Sequence, residues 1–403
     1  MRHPVARLRS TILLLAVGPA LSAQGTAAPR GRSITGLPAL NYDADEGVGY
    51  GALLQYYDYG SDGVQPYRYT VQPTVFLTTR GRRDFSLFVD APHLLPKGWR
   101  LGGAVASERQ LATPYYGVGN ETAADDAATA GGNPYYYRYG RDVVRMNVDV
   151  QRELGFPELR LLVGIGSRRV SVTPVPYGEG TTLLAQQVGS APLPALTTRY
   201  ARVGLVLDTR DREIGTHRGV WADVLVQDAS IGSDGFSGGA PGNERFVRAT
   251  ATLRRYTPLS PTVTLAQRFV VQDVLGDLPP TEMSVLQGSY RDDEALGGAS
   301  SLRGIPRNRY VGRSLAFGNL EARWDAMSFP LHGTPSHLVL NAFVDAGRVW
   351  AGDVGVEELF KDLHAGYGAG ARLAMGPSFV VAADVGHSSQ SMAAMYIGLG
   401  YLF

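Results

Sequence analysis

Hydrophobic and polar residues alternate along this chain in short runs separated by turn-forming stretches. Val144, Met146, Val148 and Val150 share one face of a segment whose other face carries Arg145, Asn147, Asp149 and Gln151. Val220, Ala222, Val224 and Val226 likewise oppose Trp221, Asp223, Leu225 and Gln227. Farther on, Ala365, Tyr367, Ala369, Ala371 and Leu373 oppose Gly366, Gly368, Gly370 and Arg372. A period of two marks a strand with one apolar face. Read this way, the chain predicts about sixteen strands, the first near Ser33 to Tyr42 and the last from Ala393 to Phe403. In that last strand Met395, Ile397, Leu399, Tyr401 and Phe403 fall on one side, with Gly398 and Gly400 opposite. No run approaches the roughly 18 apolar residues of a helical membrane span.

The connections are unequal. Short links at Gly155-Phe156, Pro258-Leu259 and Gly376-Pro377 alternate with long ones at about Gln110 to Gly140, Pro174 to Leu196, Ala229 to Asn243 and Gly276 to Val311. Short turns at one end and long loops at the other characterise a membrane barrel. Charges fall in phase on the presumed lumen face, away from lipid, where a lysine or arginine would cost about 2–4 kcal/mol at mid-membrane. Tyr56, Tyr57 and Tyr59, and Tyr135, Tyr136, Tyr137 and Tyr139, stand near strand ends, as interfacial aromatics do. A terminal strand that closes a lipid-embedded barrel is tied down by necessity, because hydrocarbon tolerates no open sheet edge. The ending with Gly398, Tyr401 and Phe403 resembles the C-terminal recognition signal of bacterial outer-membrane barrels. The expected fold is all-β, a 16-stranded antiparallel transmembrane β-barrel.

Composition adds compartment. Arg2, Arg7 and Arg9 precede a short apolar core from Thr11 to Val17, with small residues at Ala20, Ser22 and Ala23. This predicts a secretory signal peptide over residues 1–23, hence Sec export, and not a spanning helix. With no cysteine in the chain, neither a lipoprotein anchor nor a disulfide framework is expected. Without the signal, 35 basic residues face 37 acidic ones, a balance that argues against a nucleic-acid partner. The 50 glycines would suit long helices badly. Only residues 24–33 separate the signal from the barrel at 34–403, so the barrel is expected to be the whole mature chain.

The longest loop holds Leu296-Gly297-Gly298-Ala299-Ser300-Ser301-Leu302-Arg303-Gly304-Ile305, then Tyr310-Val311-Gly312. A strand containing Gly318-Asn319-Leu320-Glu321-Ala322-Arg323 follows. Together they resemble the lumen-folded sixth loop and twelfth strand of the BamA/TamA-type outer-membrane assembly superfamily, the bacterial surface antigen barrels. Three more pieces match in order. Asp208-Thr209-Arg210-Asp211 with Arg218-Gly219 resembles that family's strand–turn motif, and Phe343-Val344-Asp345-Ala346-Gly347-Arg348-Val349-Trp350 its thirteenth strand. Tyr115-Tyr116-Gly117-Val118-Gly119-Asn120 resembles a segment of members without periplasmic domains. By alternation Glu321 is in phase with Asn319 and Arg323, and Asp345 with Asn341, so both carboxylates point into the lumen. Arg303, beside a glycine at 304 that permits unusual backbone angles, would meet them as a loop lock, since an arginine fork on a carboxylate makes directional bonds.

The resemblance implies a barrel that assists insertion or translocation of protein or lipid clients, with a seam between first and last strands that can open. Its implied partners are outer-membrane lipid and the barrel assembly machinery during its own insertion. A periplasmic or lipoprotein partner would supply the role of the polypeptide-transport-associated (POTRA) domains, for which the sequence leaves no room. Two departures stand out. Leu302 and Ile305 flank Arg303-Gly304 where the family has a β-branched residue and an aromatic, so an aromatic contact to the wall is expected to be lost. Thr216 stands where the strand–turn motif often has proline.

Evidence for chemistry is thin. Gly386-His387-Ser388-Ser389-Gln390 has part of a nucleophile elbow, but the final glycine and a following helix are missing. No cluster has metal-ligand spacing, and no cofactor is implied. Asp125-Asp126 and Asp292-Asp293-Glu294 read as solvated loop acids. The rivals to the assembly reading are a passive or gated outer-membrane channel and, more distantly, a barrel-embedded lipid hydrolase.

Overall fold

The computed structural model describes residues 30–43, 47–130, 133–178, 180–233, 244–276, 278–294, 296–331, 333–376 and 379–403. The expected signal peptide lies outside them. Strands β1 (Gly31–Asp43), β2 (Gly47–Gly60), β3 (Tyr69–Thr78), β4 (Arg83–Ala91), β5 (Trp99–Pro114), β6 (Arg138–Glu153), β7 (Leu159–Thr173) and β8 (Leu193–Asp208) make the first half. β9 (Gly219–Ser233), β10 (Glu244–Pro258) and β11 (Val263–Gly276) lead to a long loop holding a two-residue pair, β12 (Val285–Leu286) and β13 (Asp293–Glu294). β14 (Ser314–Leu331), β15 (Thr334–Trp350), β16 (His364–Met375), β17 (Phe379–Ser388) and β18 (Ser391–Leu399) complete the wall. Leaving out β12 and β13, sixteen strands form one sheet in chain order, each antiparallel to the next. The long loop follows the eleventh strand and is the sixth on its side.

The sheet is inside out relative to a water-soluble protein. Val144, Met146, Val148, Ile165 and Val224 are exposed on the outer wall, while Asp149, Arg202, Arg248, Glu321 and Arg372 are buried within. Strand alternation produces this: every outward position is one step from an inward one, so a single pattern serves lipid and lumen together.

The structure corrects several expectations. β1 begins at Gly31, inside the segment expected to precede the barrel. β18 stops at Leu399, where Gly400 adopts φ +86° and turns the chain out of the ladder. Phe403 therefore does not share the outer face with Met395. It is buried in the lumen beside Tyr256 and Ala266, and the Arg268 and Arg323 guanidinium carbons each lie 5.1 Å from its ring centre. Tyr57, Tyr59 and Tyr139 are also buried rather than interfacial. The acids Asp292 and Glu294 meet lumen arginines, Asp292 with Arg202 at 3.0 Å and Glu294 with Arg141 and Arg307. In low-dielectric surroundings a carboxylate finds a cation before it finds water. Asp125, by contrast, stays exposed and accepts a bond from the Ala127 amide.

Candidate functional site

The sixth loop lies within the lumen, and besides its ion pairs to Arg141, Arg168 and Arg202 it is fastened at one sharp turn. There the Arg303 side chain, fully buried, forks onto Asp345 of β15: Nε donates to Oδ2 at 2.8 Å and Nη2 to Oδ1 at 3.0 Å. The backbone N–H of Arg303 donates to the same carboxylate at 3.0 Å. Nη1 reaches Glu321 Oε2 of β14 at 3.0 Å and Asp384 Oδ2 of β17 at 3.3 Å. The guanidinium carbon sits 3.4 Å from the ring centre of Phe343. Each carboxylate has a second cation or donor: Arg323 on Glu321 at 3.0 Å, Asn319 on Asp345 at 2.8 Å, and Arg372 on Asp384 at 2.7 Å. Such mutual satisfaction is what makes a buried ionic network tolerable.

Gly304 must be glycine. It sits at φ +92°, and a Cβ there would come within 2.6 Å of the His387 carbonyl oxygen. That closeness lets its amide donate to Tyr396 Oη of β18 at 2.9 Å, while Ser388 Oγ of β17 donates to its carbonyl at 2.7 Å. Two residues of loop thus engage β14, β15, β17 and β18. The Ser388 hydroxyl, the would-be nucleophile, is spent on this bond, and His387 Nδ1 lies 3.0 Å from the Met392 carbonyl. The position expected to lose its aromatic is not idle. Leu302 and Ile305 are buried against Val270, Leu315, Phe317 and Val349 of the wall, and Phe343 supplies an aromatic from the other side.

The strand–turn motif builds a separate feature at the short-turn end. Arg210 forks onto Asp208 at 2.8 and 2.9 Å and lies 4.5 Å from the Trp221 ring centre. Asp211 accepts from the His217 and Arg218 amides at 3.1 and 3.3 Å. Gly219, at φ +115°, allows the two limbs to close, for a Cβ would lie 2.4 Å from the Thr209 carbonyl. Thr216, in place of proline, bonds the Arg212 carbonyl at 2.8 Å. This turn presents Glu213 to Arg100 of β5, which also holds Asp90 of β4 through two 2.8 Å bonds. Burial alone would raise the Glu213 pKa, yet the charge and hydrogen bonds of Arg100, with Arg210 and Arg160 beyond, hold it down to about 2. The loop meets the same arginine: the ring centre of Tyr290, between β12 and β13, lies 5.7 Å from its guanidinium carbon, with the Tyr290 hydroxyl 3.2 Å from that of Tyr67.

The Tyr115–Asn120 segment crosses the long-loop end. The Gly119 amide donates to the Val311 carbonyl at 2.8 Å, and Asn120 binds the Asp362 carbonyl and the Val349 amide at 2.9 and 3.1 Å. Loop-lock residues Arg303, Gly304, Glu321 and Asp345 therefore converge, whereas Asp208, Arg210, Asp211 and Gly219 form the turn, and half-buried Tyr401 and buried Phe403 the tail. Asp384, Arg372, Ser388 and Tyr396 complete the lock without having been singled out by spacing. Alternation put Arg372 on the lumen face, but nothing local says that it serves Asp384 and Glu321, two of the carboxylates that hold Arg303.

A model of the Omp85 superfamily domain matches residues 73–386. Among solved structures, BamA from Haemophilus ducreyi lacking POTRA domains 1–3 aligns with a TM-score of 0.54 at 12% identity, over 97% of this chain and 75% of that one. CdiB from Escherichia coli aligns with a TM-score of 0.53 at 13% identity, over 97% and 67%. A comparison with curated proteins found no match.

Proposed function

The chain belongs to the Omp85 superfamily, and from that premise we propose an outer-membrane barrel that helps insert or translocate protein or lipid clients, its lumen shut at rest by the sixth loop. The observation that carries this reading is the Arg303–Gly304 turn, which ties a loop lying within the lumen to four strands including the last. A plug pinned by a buried arginine suits a barrel that works by controlled release better than one serving steady diffusion. The seam partner in this reading is β18, where a Cβ at Gly398 would meet nothing within 4 Å. Thin packing of that kind makes strand separation cheaper. Client capture would come from a periplasmic or lipoprotein partner at the short-turn mouth, where residues about Glu158, Asp208 and Asp325 line a cavity of about 1080 Å³.

The test is single-channel conductance in planar bilayers, wild type beside Arg303→Ala. Small, flickering currents that become large in the variant are expected. Large, steady steps from the wild type would instead establish an open pore and end the assembly reading.

A further inference from the structure

The outer wall carries arginines that the lumen does not use. Alternation on β4 turns Asp84, Phe88 and Asp90 inward, so Arg83 faces out with Phe85 and Leu87. On β5 Glu108 and Gln110 turn inward and Arg109 outward, and the register sets Arg83 directly opposite Arg109. Like charges opposed in this way destabilise a strand pair. On β7 Arg168 bonds the loop inside, leaving Arg169 outward, and on β8 Thr198 and Arg202 face in while Arg199 faces out. Arg199 lies opposite Ser167, one outward step from Arg169, so a second like-charged pair sits diagonally.

All four stand near the long-loop ends of their strands, just beyond the apolar band of Val105, Met146, Ile165 and Val203. Arg109 Nε is 3.8 Å from Asp142 and Arg169 has a partner of its own, whereas Arg83 and Arg199 have no ion-pair partner among the described residues. Unlike Arg83 and Arg199, Arg245 of β10 is bonded to Asp228 of β9. A pocket of about 540 Å³ beside Arg109 and Asp142, lined also by Thr173, Pro176 and Pro192, opens at this rim.

From β4 to β8 is four strand spacings, about 19 Å. We propose that this arc is a binding site for an outer-leaflet lipid whose headgroup carries more than one phosphate. Arginine forks match phosphate oxygens, and acyl chains of the same molecule would lie along the apolar band below. The site is independent of the loop lock and of any client, and its ligand is a resident of the membrane rather than cargo.

The test uses the folded full-length barrel in neutral detergent, with diphosphoryl lipid A, monophosphoryl lipid A and inorganic phosphate as probes, read by native mass spectrometry. Wild type should retain diphosphoryl lipid A at least about tenfold more tightly than R83Q/R109Q/R169Q/R199Q, with the monophosphoryl form in between. Arg152→Gln with Arg255→Gln, near the short-turn ends, should bind as wild type does. Equal retention by wild type and the fourfold variant would overturn the proposal. So would displacement by millimolar inorganic phosphate, which would mark a lone-anion site. Should the fourfold variant not fold, as judged by heat-modifiable mobility, R83Q and R199Q singly must each weaken retention, and unchanged binding in both defeats the idea.

Discussion

At Arg303 one side chain performs a task that no other residue type could. Its fork matches Asp345 while a third nitrogen still reaches Glu321 and Asp384. Lysine offers one compact charge and cannot span those three carboxylates. Arg303→Lys should therefore give a leaky lumen, with conductance between wild type and Arg303→Ala. Arg303→Ala leaves buried carboxylates short of a cation, a loss of about 3–5 kcal/mol, to be measured as a fall in the urea midpoint of the folded barrel. Gly304→Ala should cost about 1–3 kcal/mol through its positive φ, and should open the loop to protease while the strands stay intact. Undiminished protection in Gly304→Ala would mean the turn can shift without harm. Much of this pairing was legible beforehand, because period-two alternation assigns Glu321 and Asp345 to the lumen. Asp384, Ser388 and Tyr396 were not, since their roles depend on where a loop eighty or more residues earlier comes to rest.

At the scale of elements, the turn between β8 and β9 is more than a plain connection. It places Glu213 against Arg100 beside the sixth loop, so wall, turn and loop meet at a single guanidinium. Glu213 is held at about 2, below its ordinary 4.5. A depressed carboxylate contributes stability above its unfolded value and loses it as pH falls through the folded one. The turn should thus stay docked down to about pH 4.5 and loosen as pH falls toward about 2. Infrared or carbon-13 titration of the Glu213 carboxylate would show it, and an ordinary midpoint near 4.5 would sink the assignment. Arg100→Met should invert the sign, because Asp90 and Glu213 would then repel until acid neutralises one. The sequence exposed the turn through Asp208, Arg210 and Gly219, but hid its purpose: Glu213 is polar, near a turn, and indistinguishable from a solvated acid until the fold brings Arg100 to it.

For the whole molecule, the loop and the end of the chain act as one mechanical unit. The Arg303–Gly304 turn reaches β18 through Tyr396, and Arg323, which shares Glu321 with Arg303, donates to the Phe403 carbonyl at 3.0 Å. Alternation alone would have carried the last strand to Phe403, but Gly400 breaks it and sends the aromatic tail inside. A local pattern cannot anticipate that, since the tail's partners Tyr256, Ala266 and Arg268 come from β10 and β11. If plug and final strand share one lock, disturbing either must be felt by the other. Tyr396→Phe removes only the acceptor for the Gly304 amide, and it should speed amide exchange across residues 391–399 while β9 to β11 keep wild-type protection. Arg303→Ala should do the same. Because both variants break one connection, the double variant should exchange no faster than Arg303→Ala alone, as coupled residues behave in a mutant cycle. Additive acceleration would show that loop and strand are held separately, and opening of the seam would then need no movement of the plug.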